Sequence, residues 1–337
     1  MYPLTKQSRL LHAVKKGDQD KAVEIAWAHK QWTVQNYNDA MWAAARHEHW
    51  DIMKMFDRKI PRPYSSNIEI LIDAAANNKP EQARQILASR RVSVHTLCDI
   101  RSLDIDLPCR LRHVDALYVA ARAGHLDMVT LLLDHDRKKE KCANAGKALL
   151  GAMEGGHEPV IALLMQEDVR LTTENYLPVP YKDRRNRFTF EDSLQGVVTD
   201  TLRLAIQRDD GARLLKQILK QMCQDAGEIG WINPDIQKLL AETAGNGRKD
   251  AVRVLAEESL FKYVTDQTQG SVYKGKYGDE FVKKMLARRL DPAIKQAREK
   301  GHEDIAAYLT DCKEGKISWD ALRPRGHRSP WVHRQPQ

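Results

Sequence analysis

The stretch ALYVAARAGHLDMVTLLL, residues 116–133, decides how the rest of the chain is interpreted. Two adjacent alanines precede a Gly-His pair, and a leucine-rich run follows it. This arrangement indicates a short helix, a turn and a second helix. The pair is either an isolated helical hairpin or one copy of a unit that fills the whole protein, and sliding the stretch along the chain distinguishes the two.

Seven further copies are found when the stretch is anchored on Gly124. The eight anchors are Gly17, Glu48, Asn78, Gly124, Gly156, Asp209, Gly247 and Gly301. Seven residues before them stand Leu10, Met41, Leu71, Leu117, Leu149, Leu202, Leu240 and Ile294, and four before them stand Ala13, Ala44, Ala74, Ala120, Ala152, Ala205, Thr243 and Ala297. Five residues after them stand Ala22, Met53, Ala83, Val129, Ile161, Leu214, Val252 and Ala306, and eight after them stand Ile25, Phe56, Ile86, Leu132, Leu164, Gln217, Leu255 and Leu309. These columns predict a repeat array.

Each column has a physical reason. The apolar and alanine columns lie three residues apart, on one face of a first helix, and alanine lets a neighbouring helix approach closely. The anchor ends that helix, because glycine adopts the left-handed conformation without steric cost. Glu48 is the anchor least suited to this, which predicts a distorted turn there. The columns after the anchor form the apolar stripe of a second helix, and such a helix pair needs stacked neighbours to bury its face.

The best-preserved copies carry a family resemblance. The stretches LYVAARAGHLDMVTLLL (117–133), LLGAMEGGHEPVIALLM (149–165) and IKQAREKGHEDIAAYL (294–309) resemble the ankyrin repeat, whose pattern is T-P-L-H-x-A-A-x-x-G-H. The resemblance implies an all-α, ankyrin-like solenoid of about eight helix-pair repeats over residues 4–322. The Thr-Pro start is absent, and no Asp-Gly turn marks the usual fingers, so we expect fingers that are short, irregular or missing. Another solenoid of helix pairs is the rival family, but the Gly-His pair and the shortest anchor spacings, 30 to 32 residues, favour ankyrin.

The resemblance also implies a function. It predicts a non-enzymatic, monomeric scaffold that binds another protein through its concave, finger-bearing side. Degenerate arrays with insertions are similar to effector proteins that intracellular bacteria deliver into host cells. One alternative is an enzyme whose site is assembled from the insertions, because a fold does not fix a function. A nucleic-acid or acidic-lipid binder is the other, and acidic residues next to the basic ones argue against it.

Three gaps between anchors are too long for the repeat. The extra residues lie at about 88–113, 168–199 and 258–290. They are either binding loops on the finger edge or additional helices between imperfect repeats. Aromatic and basic residues alternate in the second and third insertions, a combination typical of interfaces. We predict that the partner contacts Tyr181, Arg184, Arg185, Arg187, Phe188, Phe190, Tyr273, Lys274, Lys276 and Tyr277. The plainer interpretation is that the aromatics pack on the scaffold and the charges are solvated.

The first insertion contains a possible zinc site. His95, Cys98, Cys109 and His113 form two close pairs that are ten residues apart, a spacing that suits a tetrahedral site. The alternative is two buried cysteines and two surface histidines. We expect no cofactor other than this zinc. Tryptophans crowd the first two units and belong either to the core or to a groove between repeats; they are Trp27, Trp32, Trp42 and Trp50.

Composition limits the class of protein. The five cysteines are scattered and odd in number, which favours a reducing, cytoplasmic compartment, including the cytoplasm of a host cell. We expect no membrane insertion, because the chain has no secretory leader pattern and no apolar run of roughly 20 residues. The net charge of +8 permits an acidic partner without requiring one. Residues 323–337 form a basic, proline-containing tail that we expect to be disordered.

Overall fold

A computed structural model of the protein describes residues 5–28, 32–58, 66–88, 92–99, 111, 113–140, 143–166, 169–170, 194–225, 236–260, 278–314 and 316. The chain divides into two compact units, Met1–Asn175 and Tyr176–Gln337. We number the repeats 1 to 8 in the order of their anchors. Repeats 1 to 5 belong to the first unit and repeats 6 to 8 to the second.

The first unit is built from five helix pairs. They are α1 (Lys6–Lys15) and α2 (Gln19–Ala28), α3 (Val34–Arg46) and α4 (Trp50–Asp57), α5 (Asn67–Ala76) and α6 (Pro80–Leu87), α7 (Ala116–Ala123) and α8 (Leu126–Glu140), and α9 (Gly146–Gly155) and α10 (Glu158–Leu164). The first helix of a repeat packs against the first helix of its neighbour, as α7 does against α5 and α9. The second helices form a parallel layer in which α8 contacts α6 and α10.

Short strands stand between some of these pairs. β1 (Cys98–Asp99) pairs antiparallel with β2 (His113–Val114), and Cys98 lies opposite Val114. β3 (Ala143–Asn144) pairs parallel with β4 (Val169–Arg170). The fingers described here are therefore only two residues long on each strand. This agrees with the missing Asp-Gly turns.

The second unit has the same plan with three helix pairs. They are α11 (Leu194–Gln207) and α12 (Gly211–Asp225), α13 (Ile236–Gly245) and α14 (Lys249–Val254), and α15 (Gly278–Glu299) and α16 (Glu303–Glu314). A π-helical turn, Leu255–Leu260, continues α14. Helix α13 packs against α11 and α15, and α12 packs against α14. Residues 194–199 and 278–290, which the sequence assigns to insertions, are helical. The prediction of an all-α fold of stacked helix pairs is confirmed.

The columns of the alignment form the core of both units. All eight residues seven positions before the anchors are buried, and so are all eight residues four positions before them. Ala120 and Leu117 of α7 have relative exposures of 0% and 1%. Five residues after the anchors every side chain is buried as well. Sequence spacing alone therefore identifies the helix faces that meet.

Repeat 6 departs from the alignment by one residue. Gln217 is exposed, whereas its neighbour Ile218 and Leu215 are buried. Its turn is also different, because Asp209 does not have the positive φ that the other seven anchors have. Helix α11 still ends at Gln207 and α12 begins at Gly211, the offsets of most other repeats, so the difference lies in the backbone of the turn and in the face that α12 buries. The assignment of Asp209 as a left-handed anchor is therefore wrong.

The turn at Glu48 is regular, and the prediction of a distortion there is wrong. The amides of Glu48 and His49 donate to Ala45 and Ala44 at 3.2 and 2.9 Å. The corresponding bonds of the Gly124 turn are 3.2 and 3.0 Å. Glu48 keeps this geometry with a φ of 61°, a region that costs a non-glycine residue free energy.

The small-residue column predicts the effect of a larger side chain. We expect Ala120→Leu to lower the free energy of unfolding by about 1–3 kcal/mol, because the fully buried site has no room for an isobutyl group. Ala162→Leu is the matched control; this alanine is exposed on α10, and we expect a change within about 0.5 kcal/mol. Urea unfolding of both variants tests the prediction. Equal midpoints for Ala120→Leu and the unmodified protein would contradict it.

Candidate interaction surface

The predicted partner-binding residues of the second and third insertions lie outside the described residues. They are Tyr181, Arg184, Arg185, Arg187, Phe188, Phe190, Tyr273, Lys274, Lys276 and Tyr277. Their role remains a prediction. The same holds for the tail, residues 323–337, which is not described either.

The structure places three of the four predicted zinc ligands and does not bring them together. Cys98 and His113 belong to paired strands, but Cys98 is opposite Val114 and His113 is opposite Asp99. Residues opposite each other share a face of the ribbon, so Cys98 and His113 lie on different faces. His95 contacts two carboxylates instead, and Cys109 lies outside the described residues. In the described part of the chain no group of three His, Cys, Asp or Glu residues is arranged to hold a metal ion.

Zinc binding therefore stays a prediction with a direct test. Elemental analysis of protein purified without chelator is expected to give one zinc per chain if the four residues form a site. Because a metal site needs all of its ligands, Cys109→Ser should then abolish the zinc. A metal content well below one zinc per chain would contradict the predicted site and favour the alternative that these cysteines and histidines do not bind metal.

His95 forms a buried clamp that joins the first insertion to repeat 4. One ring nitrogen, Nε2, lies 2.9 Å from Oδ2 of Asp136 in α8, and Nδ1 lies 3.8 Å from Oδ2 of Asp115. Asp115 also caps α7 by accepting from the amide of Tyr118 at 2.7 Å. Burial by itself would lower the pKa of His95, but the contacts with Asp115 and Asp136 outweigh burial and raise it to about 10. The clamp thus holds an imidazolium between two carboxylates.

In four repeats the residue after the anchor connects neighbouring repeats. His49 Nε2 donates to the carbonyl of Lys15 at 3.2 Å, and His125 and His157 bond the carbonyls of Ala76 and Arg122 at 3.0 Å each. In repeat 7 an arginine takes this place, and Arg248 donates to the carbonyl of Gln207 at 3.3 Å. Each accepting carbonyl lies two residues before an anchor, at the end of the preceding first helix. We call this contact the inter-repeat lock.

The ring of the next repeat approaches some of the glycine anchors closely. A Cβ added to Gly124 would lie 2.5 Å from the ring of His157, and one added to Gly17 would lie 2.7 Å from the ring of His49. Gly156 and Gly301 have nothing within 4 Å of that position. Glycine therefore serves two purposes. It adopts the positive φ at every glycine anchor, and at some of them it also leaves space for the ring of the next repeat.

Basic residues stand at equivalent positions of repeats 1 and 2. Lys15 and Arg46 lie two residues before their anchors, and Lys16 and His47 lie one residue before them. All four are exposed at the ends of α1 and α3. None of the four makes an ion pair with a carboxylate in the described part of the protein. This block of three cations and His47 is the clearest feature of the described surface that the columns do not explain.

Apolar side chains adjoin these cations one helical turn earlier. Leu11 and Trp42, six residues before their anchors, are both half-buried. The guanidinium of Arg46 lies over the Trp42 ring, 5.3 Å from its centroid, and Trp42 Nε1 donates to Glu69 at 3.4 Å. We define the basic-aromatic patch as Leu11, Lys15, Lys16, Trp42, Arg46 and His47. Tryptophan and arginine are the residue types that most often dominate the energy of interfaces.

Carboxylates near the patch are occupied by other groups. Asp39 accepts from the side-chain amides of Gln7 and Gln35, at 2.7 and 2.8 Å. Asp18 accepts from the amide of Lys21 at 3.0 Å and so caps α2. Neither carboxylate forms an ion pair with Lys15, Lys16 or Arg46 in the described part of the protein.

A comparison with protein families agrees with this architecture. Residues 71–175 match the family model of ankyrin repeats, in three copies. The chain contains ankyrin repeats. No curated protein matches the chain. The matched region begins in α5 and spans repeats 3 to 5, the part of the chain where the Gly-His pairs at Gly124 and Gly156 occur.

The same packing of helix pairs continues on both sides of the matched region. Repeats 1, 2, 6, 7 and 8 place the same two columns in their cores, and the lock recurs at His49 and Arg248, outside residues 71–175. Among the described helices none combines the length and the apolar character needed to cross a bilayer. Ankyrin repeats generally mediate contacts between proteins, so the exposed faces of these repeats are the first place to search for a binding site.

Proposed function

We propose that the protein is a non-enzymatic, monomeric scaffold whose ankyrin repeats bind another protein. The observation that carries this proposal is the match of residues 71–175 to ankyrin repeats, together with the packing columns that extend to both sides of it. Such a scaffold acts by shape and by a few strongly contacting side chains. The degenerate, insertion-rich array further suggests a bacterial effector whose partner is a host protein.

Two surfaces are candidates for the contact. The first is the finger edge, where the second insertion joins four basic residues to the aromatic residues Phe188 and Phe190. The second is the basic-aromatic patch of repeats 1 and 2. Both combine aromatic rings with arginine, and both have a positive charge that would accelerate association with an acidic partner.

Replacement of four insertion residues tests the finger edge. We expect the variant Arg184→Ala, Arg185→Ala, Phe188→Ala and Phe190→Ala to lose binding to a partner identified by affinity capture, because these residues combine the charge and the aromatic anchors of the insertion. The fold should persist, because all four lie outside the buried columns. Quantitative titration of the purified pair, with circular dichroism of each variant, measures both effects.

A matched variant controls for the loss of two charges and two apolar groups. Arg84, Arg213, Leu126 and Leu163 lie on second helices and are exposed or half-buried, and their replacement by alanine should leave the affinity unchanged. Full affinity in the insertion variant would exclude the finger edge as the main contact. Failure to capture any protein from lysates of either bacterial or eukaryotic cells would contradict the proposed function itself.

A further inference from the structure

We infer that the basic-aromatic patch binds an acidic protein segment that contributes one apolar side chain. The inference rests on the proposed function, because it assumes that the partner is a protein, and it specifies which chemistry that partner presents. The patch offers two kinds of contact next to each other, exposed cations and a half-buried apolar floor. The cations predict the charge of the bound segment, and the apolar floor predicts its apolar side chain.

The cations determine the charge of the occupant. Helix α1 contains no acidic residue, and the exposed positions along it include Lys6, Arg9 and Lys15. The helix dipole favours Lys15, which is in the last turn. Lys6 and Arg9 precede Lys15 by nine and six residues, so they project from other sides of α1 and do not belong to the patch. Lys15 stands four residues after Leu11, on the same side of the helix, and its cation therefore adjoins the apolar floor.

The floor determines the apolar contact. In the first unit the position six residues before the anchor is fully buried in repeats 3 to 5, where Ile72, Tyr118 and Leu150 have relative exposures of 1%, 0% and 1%. In repeats 1 and 2 the same position holds Leu11 and Trp42, which are half-buried. This column of apolar side chains is therefore open to a partner only where the cations surround it. One apolar side chain of the partner would cover it.

The surroundings of the floor favour a protein segment over a bilayer or a nucleic acid. Trp42 is held by Glu69 and covered on one side by Arg46, so its ring is not free to enter a bilayer. Glu69 and Asp73 lie in the adjacent repeat and would repel a phosphate backbone that continued across it. A short acidic segment fits between these limits, because it needs only the patch.

Binding of defined peptides tests the inference on the intact protein. The probes are short fluorescein-labelled peptides of glutamate and serine with one central phenylalanine or leucine, followed by fluorescence anisotropy at low and physiological salt. We expect binding that weakens as salt is added, because exposed charges are screened. Peptides with lysine in place of glutamate, or alanine in place of the central residue, should bind at least about tenfold more weakly.

Charge reversal on the protein provides the matched comparison. The double variant Lys15→Glu with Arg46→Glu should lose at least about tenfold in affinity for the acidic peptides. The control, Lys21→Glu with Arg58→Glu, has the same net charge, but Lys21 lies in α2 and Arg58 directly follows α4 of the same two repeats, and it should bind like the unmodified protein. Trp42→Ala should weaken the phenylalanine peptide and leave the alanine peptide unaffected.

Several results would overturn the inference. These are no binding of any acidic peptide at low salt, equal affinity in the two double variants, or equal affinity for the phenylalanine and alanine peptides. Binding to single-stranded DNA or to phosphatidylserine vesicles, without binding to the peptides, would assign the patch to a different polyanion. The proposed function is tested separately: a partner captured by the intact protein, with unchanged affinity in the Lys15→Glu, Arg46→Glu variant, would support the scaffold and exclude the patch.

Discussion

Replacing His95 by glutamine is expected to lower the free energy of unfolding by about 3–5 kcal/mol at pH 6, because two buried carboxylates lose the cation between them. The side chains of His95 and Asp136 have relative exposures of 10% and 5%, so water cannot replace the contact. His12→Gln is the control, since His12 is exposed on α1. Urea unfolding, with hydrogen exchange of residues 113–140 to locate the effect, measures the difference.

The same clamp predicts a dependence on pH. The pKa of His95 is about 10 in the folded protein and about 6.5 in the unfolded chain, so folding favours the protonated form. The stabilisation is fully present below pH 6.5 and is lost as the pH rises towards 10, by about 1.4 kcal/mol per pH unit. The deficit of His95→Gln relative to the unmodified protein should therefore shrink over this range. A deficit that is independent of pH would show that His95 acts by packing alone.

Alanine at Gly124 is expected to destabilise the protein more than alanine at Gly156, although the two residues have nearly the same φ, 78° and 73°. Both substitutions place a side chain in the left-handed region, at a cost of about 1–2 kcal/mol. Only the Cβ at position 124 also meets the ring of His157, at 2.5 Å, which adds about 1–3 kcal/mol of overpacking. The comparison isolates the inter-repeat lock from backbone strain.

Thermal and urea unfolding of the two variants tests this difference. A third variant, Gly124→Ala with His157→Ala, removes the ring. It should regain the part of the free energy of unfolding that overpacking had cost, but it should still lack the hydrogen bond to the Arg122 carbonyl. Equal losses in Gly124→Ala and Gly156→Ala would mean that the ring moves aside without cost. The lock would then contribute little to the specific stacking of repeats 4 and 5.

The sequence was sufficient to predict those features of the fold that depend on the spacing of nearby residues. Leu117 and Ala120 lie on one helical face whatever the rest of the chain does, and a turn after them needs a left-handed residue, as at Gly124. Repeat 6 departs from the alignment because α12 buries Ile218 in place of Gln217. The polar Gln217 in an apolar column was the available sign, and moving the register by one residue would have placed Ile218 in the core.

Contacts between distant residues could not be predicted in the same way. Spacing grouped His95 with Cys98, but the fold pairs His95 with Asp136, 41 residues away, through the course of an insertion that follows no repeat pattern. The basic-aromatic patch could be predicted from the sequence only in part. Lys15 and Arg46 stand at equal offsets from their anchors, so the columns contain the signal, but their exposure and the position of Arg46 over Trp42 became visible only in the structure.

The inter-repeat lock gives each unit a direction. In all four examples a carbonyl at the end of a first helix accepts from a residue of the following repeat, as Lys15 does from His49 and Arg122 from His157. Removing repeat 5 would therefore leave the carbonyl of Arg122 without its donor, whereas removing repeat 1 would leave no carbonyl of this kind without one. Because a ribosome releases the chain from the N-terminus, these four carbonyls are formed before the side chains that donate to them have emerged.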